Sequence, residues 1–212
     1  TPREKKGSRF QKASPKKTQS REAKAVEQAL EKVGARRQHV IASFNPFYFV
    51  TRYFEMPFIP HREWRAGASY EARRHIPFKL SEAVADFHIR EQKAADEKKI
   101  LAVTTTTAKT ETLKAYGASL KEGSAKVDCF EPVFSAFART LSIASEIEKD
   151  KTYGFIFMAA HGSVNVSLTR SGMTYLSRDF LLAEDRRANE TRFYEELKAS
   201  FDFVAAKTAD HR

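Results

Sequence analysis

Between Pro132 and Val204 the apolar residues change their spacing three times, and that change limits the folds open to the chain. Pro132 suits the first turn of a helix, and Val133, Phe134, Phe137, Leu141, Ala144 and Ile147 continue at helical intervals to about Lys149. Tyr153 to Ala160 is a continuous apolar run of strand length. His161-Gly162 makes a turn, and Ser163 to Thr169 then alternates through Val164, Val166 and Leu168, the period of a half-buried strand. Ser171-Gly172 marks a second turn, and Met173 to Leu182 offers a third strand. Phe193, Leu197, Phe201 and Val204 return to helical spacing within a segment from about Glu184 to Lys207. The expected order over 131–207 is helix, two or three strands, helix.

That order is similar, in topology and length only, to a double-stranded-RNA-binding domain. The family's lysine-rich entry to its last helix is not present; Arg186-Arg187 stands there instead.

The preceding segments read as mostly helical. Ser20 to Gln38 carries Val26, Ala29, Leu30 and Val33 on one stripe, with Gly34 as a stop signal. Residues 66–78 read as a polar connector. A helix is expected from Ser81 to about Lys99, with Leu80, Val84, Phe87 and Glu91 marking its faces. The threonines at 104–107 suggest a loop, and Thr110 to Lys121 a weaker helix around Leu113, Tyr116 and Leu120. The fold class expected is α+β and predominantly helical. It has a small body, a C-terminal helix–β-hairpin–helix unit and a long basic N-terminal extension. Its divisions are 1–39 (basic extension with short helix), 40–78 (aromatic and proline-rich docking segment), 79–130 (helical segment) and 131–207.

Charge is distributed unevenly. The chain has a formal charge of +10, and all of it lies in the first third. Residues 1–35 hold 10 basic and 4 acidic side chains, residues 36–75 hold 7 arginines against 3 glutamates, and the remainder balances. Arg3, Lys5, Lys6, Arg9, Lys12, Lys16, Lys17, Arg21 and Lys24 form an arm with too little apolar surface to offset its chain entropy. With Arg36 and Arg37 they are the candidate RNA contacts, because a basic arm on a neutral body suits a polyanion. The first residue is Thr1, and the tail has the flavour of mature sequence behind a lost leader, which points to an organelle.

Residues 40–64 concentrate eight of the chain's 25 aromatic residues: Phe44, Phe47, Tyr48, Phe49, Tyr53, Phe54, Phe58 and Trp64. Pro46, Pro57 and Pro60 break any long helix there. Three roles are open: packing on the chain's own body, anchoring in pockets of neighbouring proteins, or stacking on unpaired RNA bases, with Arg52, Arg62 and Arg65 on phosphate.

Motifs for chemistry are missing. The six histidines form no i, i+4 pair around a glutamate, and the glycines form no phosphate-binding loop. His161 reads as a turn histidine, and Ser163 lacks the strand–turn–helix setting of a nucleophile. The single cysteine, Cys129, excludes a multi-cysteine metal site and a disulfide framework. Asn165 and Asn189 match the glycosylation pattern, which is short enough to occur by chance. No run reaches a membrane span in length. The sequence therefore points to a non-enzymatic ribonucleoprotein component: a mitochondrial ribosomal protein of the organellar matrix, or otherwise a cytoplasmic protein. Its partners would be rRNA and neighbouring proteins, with no cofactor, metal or small-molecule substrate. An accessory subunit of an organellar membrane complex is the alternative.

Overall fold

The structure, a computed structural model, describes residues 20–36, 38–94, 96–144, 148, 151–159, 162–182 and 186–209. The arm residues Arg3, Lys5, Lys6, Arg9, Lys12, Lys16 and Lys17, together with Arg37 and His161, lie outside them.

Helix α1 (Arg21–Lys32) starts where Ser20 Oγ accepts the backbone N–H of Ala23 at 3.1 Å. It ends before Gly34, whose φ of +67° is the left-handed conformation that closes many helices. Strand β1 (His39–Phe44) follows. Asn45 then caps a short 3-10 turn over Pro46–Tyr48, its side chain accepting from Phe47 N at 3.0 Å. The turn leads into β2 (Phe49–Pro57). Helix α2 (Trp64–Ala72), β3 (Ala83–Lys93), β4 (Lys99–Lys109) and α3 (Thr110–Glu122) come next. The remaining elements are β5 (Lys126–Pro132), α4 (Val133–Ile143), β6 (Thr152–Met158), β7 (Ser163–Arg170), β8 (Met173–Leu181) and α5 (Arg186–Ala209).

Among the described residues, eight strands in three sheets correct the expectation of a predominantly helical small body. Sheet A is the parallel pair β1–β5, sheet B has the antiparallel order β2-β4-β3, and sheet C has the antiparallel order β6-β7-β8.

The largest departure lies in 81–109. The segment read as a helix is strand β3, and the threonine run read as a loop is the middle of β4. The helical reading used Leu80, Val84 and Phe87. Ala85, Phe87 and Ile89 fit a period of two, and their burial alternates accordingly. Thr104, Thr105 and Thr107 are buried because β4 is the central strand, where β-branched side chains fit a pleated surface. Their hydroxyls are satisfied locally: Thr104 Oγ1 donates to Thr174 O at 2.9 Å, and Thr105 and Thr107 share a bond of 3.3 Å. The aromatic segment runs through β1, a 3-10 turn and β2, and much of the connector 66–78 is α2.

Sheet B buries Phe54, Met56, Leu101 and Val103 beneath Ala68 and Ala72 of α2. Sheet C buries Val164, Val166 and Phe180 against Phe193 and Leu197 of α5, and Leu168 against Val204. The two sheets meet where Tyr53 lies against Tyr175, with ring centroids 4.6 Å apart and Ala102 and Met173 beneath. Arg90 Nη2 donates to Ser171 O across the same boundary.

Candidate docking surface

Helix α1 packs on α3, α3 packs on β5, and a groove is lined by residues of α1, β1 and α3. The approach of the two helices is closest at Gly123, the C-cap of α3. A Cβ there would sit 2.7 Å from Ala23 O and 2.9 Å from Val26 Cβ, so only glycine lets the two helices approach this closely. The groove holds about 480 Å³ and is lined by Glu22, Val26, Ala42, Ala115, Tyr116 and Leu120, among others. Tyr116 meets Tyr48 edge-on at 5.4 Å. Its phenol is pushed up to about 12, first by its hydrogen bond with Tyr48, then by burial and by the negative charges nearby. The groove is mostly apolar, with the hydroxyls of Ser43, Tyr116 and Ser119 and the single charge of Glu22, which suits an apolar side chain from another polypeptide better than a phosphate.

Of the eight aromatics singled out from the sequence, Tyr48 meets the groove through Tyr116 and is 45% exposed. Phe49 and Phe54 are buried, and Phe54 stacks on His75 at 4.8 Å. Phe47 packs edge-on against Phe157 of β6. Tyr53 donates to Glu55 at 2.9 Å, and its phenol is pushed far above its ordinary value by burial and by that carboxylate. Trp64 Nε1 donates to Ile59 O at 3.0 Å. Phe58 is 44% exposed beneath the Lys99 ammonium, and Phe44 ends β1.

Of the candidate RNA contacts, Arg21 and Lys24 are exposed on α1, and Arg36 is held by Glu27 at 2.5 Å. Sequence reasoning missed Val26, Ala42, Tyr116 and Leu120 as a shared surface. The available signal was the stripe on α1, whose last member, Val33, is 74% exposed.

A second cleft of about 360 Å³ opens between β2 and β8 and is lined by Arg52, Tyr53, Tyr175, Ser177 and Asp179. Beside it runs a cross-strand network. Asn165 Nδ2 donates to Ser177 Oγ at 3.0 Å and to Asp179 Oδ1 at 2.8 Å, and Ser167 Oγ donates to Asn165 Oδ1 at 2.8 Å. Burial pushes the Asp179 carboxyl above its ordinary range, against the opposing pull of the Asn165 amide and Arg52. Asn165 and Ser167 are fully buried and mutually satisfied, so the network holds β7 to β8.

Among the described residues no three His, Cys, Asp or Glu side chains converge as a metal site. Cys129 is exposed, and its thiol is pushed up by burial of its surroundings and by Glu131, away from a nucleophile's range. No described helix is long and apolar enough to cross a membrane.

No protein-family model matches the sequence, the double-stranded-RNA-binding one included, and no curated protein is similar to it. Solved structures are similar in shape. A chain of the PilM-PilN type IV pilus biogenesis complex superposes with a TM-score of 0.58 at 20% identity, over 90% of this chain and 56% of that one. The present chain thus spans just over half the length of that relative.

Looser superpositions reach the cytoplasmic domain of EpsL, an inner membrane component of the type II secretion system of Vibrio cholerae. There the TM-score is 0.48 at 12% identity, covering 75% of this chain and 56% of that one. A protein of Bacteroides thetaiotaomicron described as having an actin-like ATPase fold and unknown function gives 0.37 at 10% identity, covering 84% and 62%. These last two superpose too loosely to carry an argument.

The first superposition overturns the ribosomal reading. A fold similar to that of a chain of a pilus biogenesis complex replaces a small body carrying an rRNA-binding arm. The assignment to the mitochondrial matrix, the choice of rRNA as partner and the organellar-complex alternative fall with it. The fold is that of the pilus-complex chain.

Proposed function

We propose that the chain is a non-catalytic protein-docking module of a pilus-biogenesis or secretion-type assembly. In this reading the groove between α1 and α3 receives an apolar segment of a partner protein. The observation that carries it is the superposition over 90% of the chain on a protein of the PilM-PilN complex. The groove supports it independently, because its apolar lining and Tyr48–Tyr116 pair resemble the desolvated pockets that aromatic and aliphatic anchors fill.

Calorimetric titration with the partner protein of a PilM–PilN type pair tests it. The expected result is saturable binding weakened by about tenfold or more in Leu120→Asp, as for an anchor-pocket residue. Tyr70→Ala, an exposed change on α2, should leave it unchanged. Equal affinities for Leu120→Asp and the parent chain, or no heat with either, overturn the reading.

A further inference from the structure

Strand β6 is an edge of sheet C. It pairs with β7 alone, and among the described residues no backbone hydrogen bond reaches its outer side. Its seven residues, Thr152 to Met158, contain neither a charge nor a proline. Edge strands are ordinarily guarded by one or the other, since an unpaired row of N–H and C=O groups is a template for another strand.

The surface beside this edge is apolar as well. Ile156 is 48% exposed and Met158 60% on the face that α5 covers. Phe201 of α5, 47% exposed, reaches over Gly154, with its ring 3.3 Å from the position a Cβ would take. On the opposite face Tyr153, Phe155 and Phe157 stand in a row, each half-buried.

We propose that the outer edge of β6 is a homodimerisation site at which a second copy of this chain adds its own β6 antiparallel, joining two three-stranded sheets into one of six. Antiparallel pairing of a strand with itself is isologous, so a single patch satisfies both copies. It also continues the antiparallel order of sheet C. Centred on Phe155, the pairing sets Tyr153 opposite the second copy's Phe157, a cross-strand aromatic pair of the kind that stabilises sheets. Gly154 then faces the second copy's Ile156, so the residue without a side chain meets one that projects. Lys151 falls opposite Ala159, and no like charges oppose each other. The edge offers no charge for an unlike partner to read, which favours a second copy over an acidic or basic strand.

Sedimentation equilibrium of the 212-residue chain tests this, alongside Ile156→Lys and, in a Cys129→Ser background, Phe155→Cys and Met158→Cys. The parent chain should show a monomer–dimer equilibrium. Ile156→Lys should weaken it by about tenfold or more, because an edge lysine must be desolvated on pairing. Oxidation should give a covalent dimer for Phe155→Cys, where the two-fold places directly opposed Cβ atoms about 5 Å apart, and none for Met158→Cys. Circular dichroism checks folding, and Ile156→Thr, which keeps β propensity, substitutes for Ile156→Lys if that variant unfolds. A chain that is monomeric at every concentration overturns the proposal. So does a dimer unaffected by the Ile156 changes, or equal cross-linking at both cysteine positions.

Discussion

At the scale of the residue, two titratable groups give opposite pH signatures. Asp179 has a carboxyl raised by burial, so the folded chain holds its proton to higher pH than the unfolded chain does. Its contribution is complete below the unfolded value of about 3.9 and is lost as pH rises through the folded value. Asp179→Asn removes this dependence and still presents an oxygen to Asn165 Nδ2. Urea midpoints measured from pH 4 to 7 should therefore show the variant gaining on the parent as pH rises. His88 is lowered, by burial first and by Arg90 second. Its neutral form is the one the fold prefers, so stability is present above about 6.5 and falls as pH drops through that value. His88→Gln should flatten the urea midpoint between pH 7 and 5.

At this scale the sequence was readable where a residue acts alone. Gly34 as the stop signal of α1 needed no partner to be understood. The Asn165–Ser167–Ser177–Asp179 network was not readable, because its members meet only through the register of β7 on β8.

The scale of the element separates what periodicity reveals from what it hides. Val164, Val166 and Leu168 located β7 because one face of that strand is polar and the other is covered by α5. The run at 104–107 misled because β4 lies between two strands with both faces covered, so its pattern does not alternate and its threonines resemble a loop. In 81–93 Phe87 belongs both to the helical set with Leu80 and Val84 and to the alternating set with Ala85 and Ile89, and pairing with β4 decides between them.

Two measurements belong here. Leu101→Ala, at a fully buried position of β4, should cost about 2–5 kcal/mol in chemical denaturation. Gly123→Ala should lower the melting temperature and weaken partner binding together. The added methyl meets backbone at Ala23 O, and that displaces α1 from the groove.

The whole molecule is held together at the boundary of sheets B and C by Tyr53 on Tyr175 and by Thr104 and Arg90 reaching across to β8 and its turn. A double-mutant cycle of Tyr53→Ala and Tyr175→Ala should return a coupling of about 0.5–1.5 kcal/mol, the range for an aromatic pair beyond its area. A coupling of zero would mean that the ring contact adds nothing to the Thr104 and Arg90 hydrogen bonds in joining the two sheets. This boundary was invisible in the sequence, since Tyr53 was one aromatic among eight in its segment.

The parallel pair β1–β5 closes around everything from residue 45 to residue 125. Sheet B and its helix lie wholly inside that excursion and can assemble from nearby residues. The two strands of sheet A must wait for both ends of it. The ends of the excursion are brought together at an entropic cost that local contacts do not repay. In a refolding experiment followed by pulsed amide exchange, the amides of Leu101 and Val103 should gain protection first. Those of Ile41 and Cys129 should follow, the clasp snapping shut only after what it encloses is already in place.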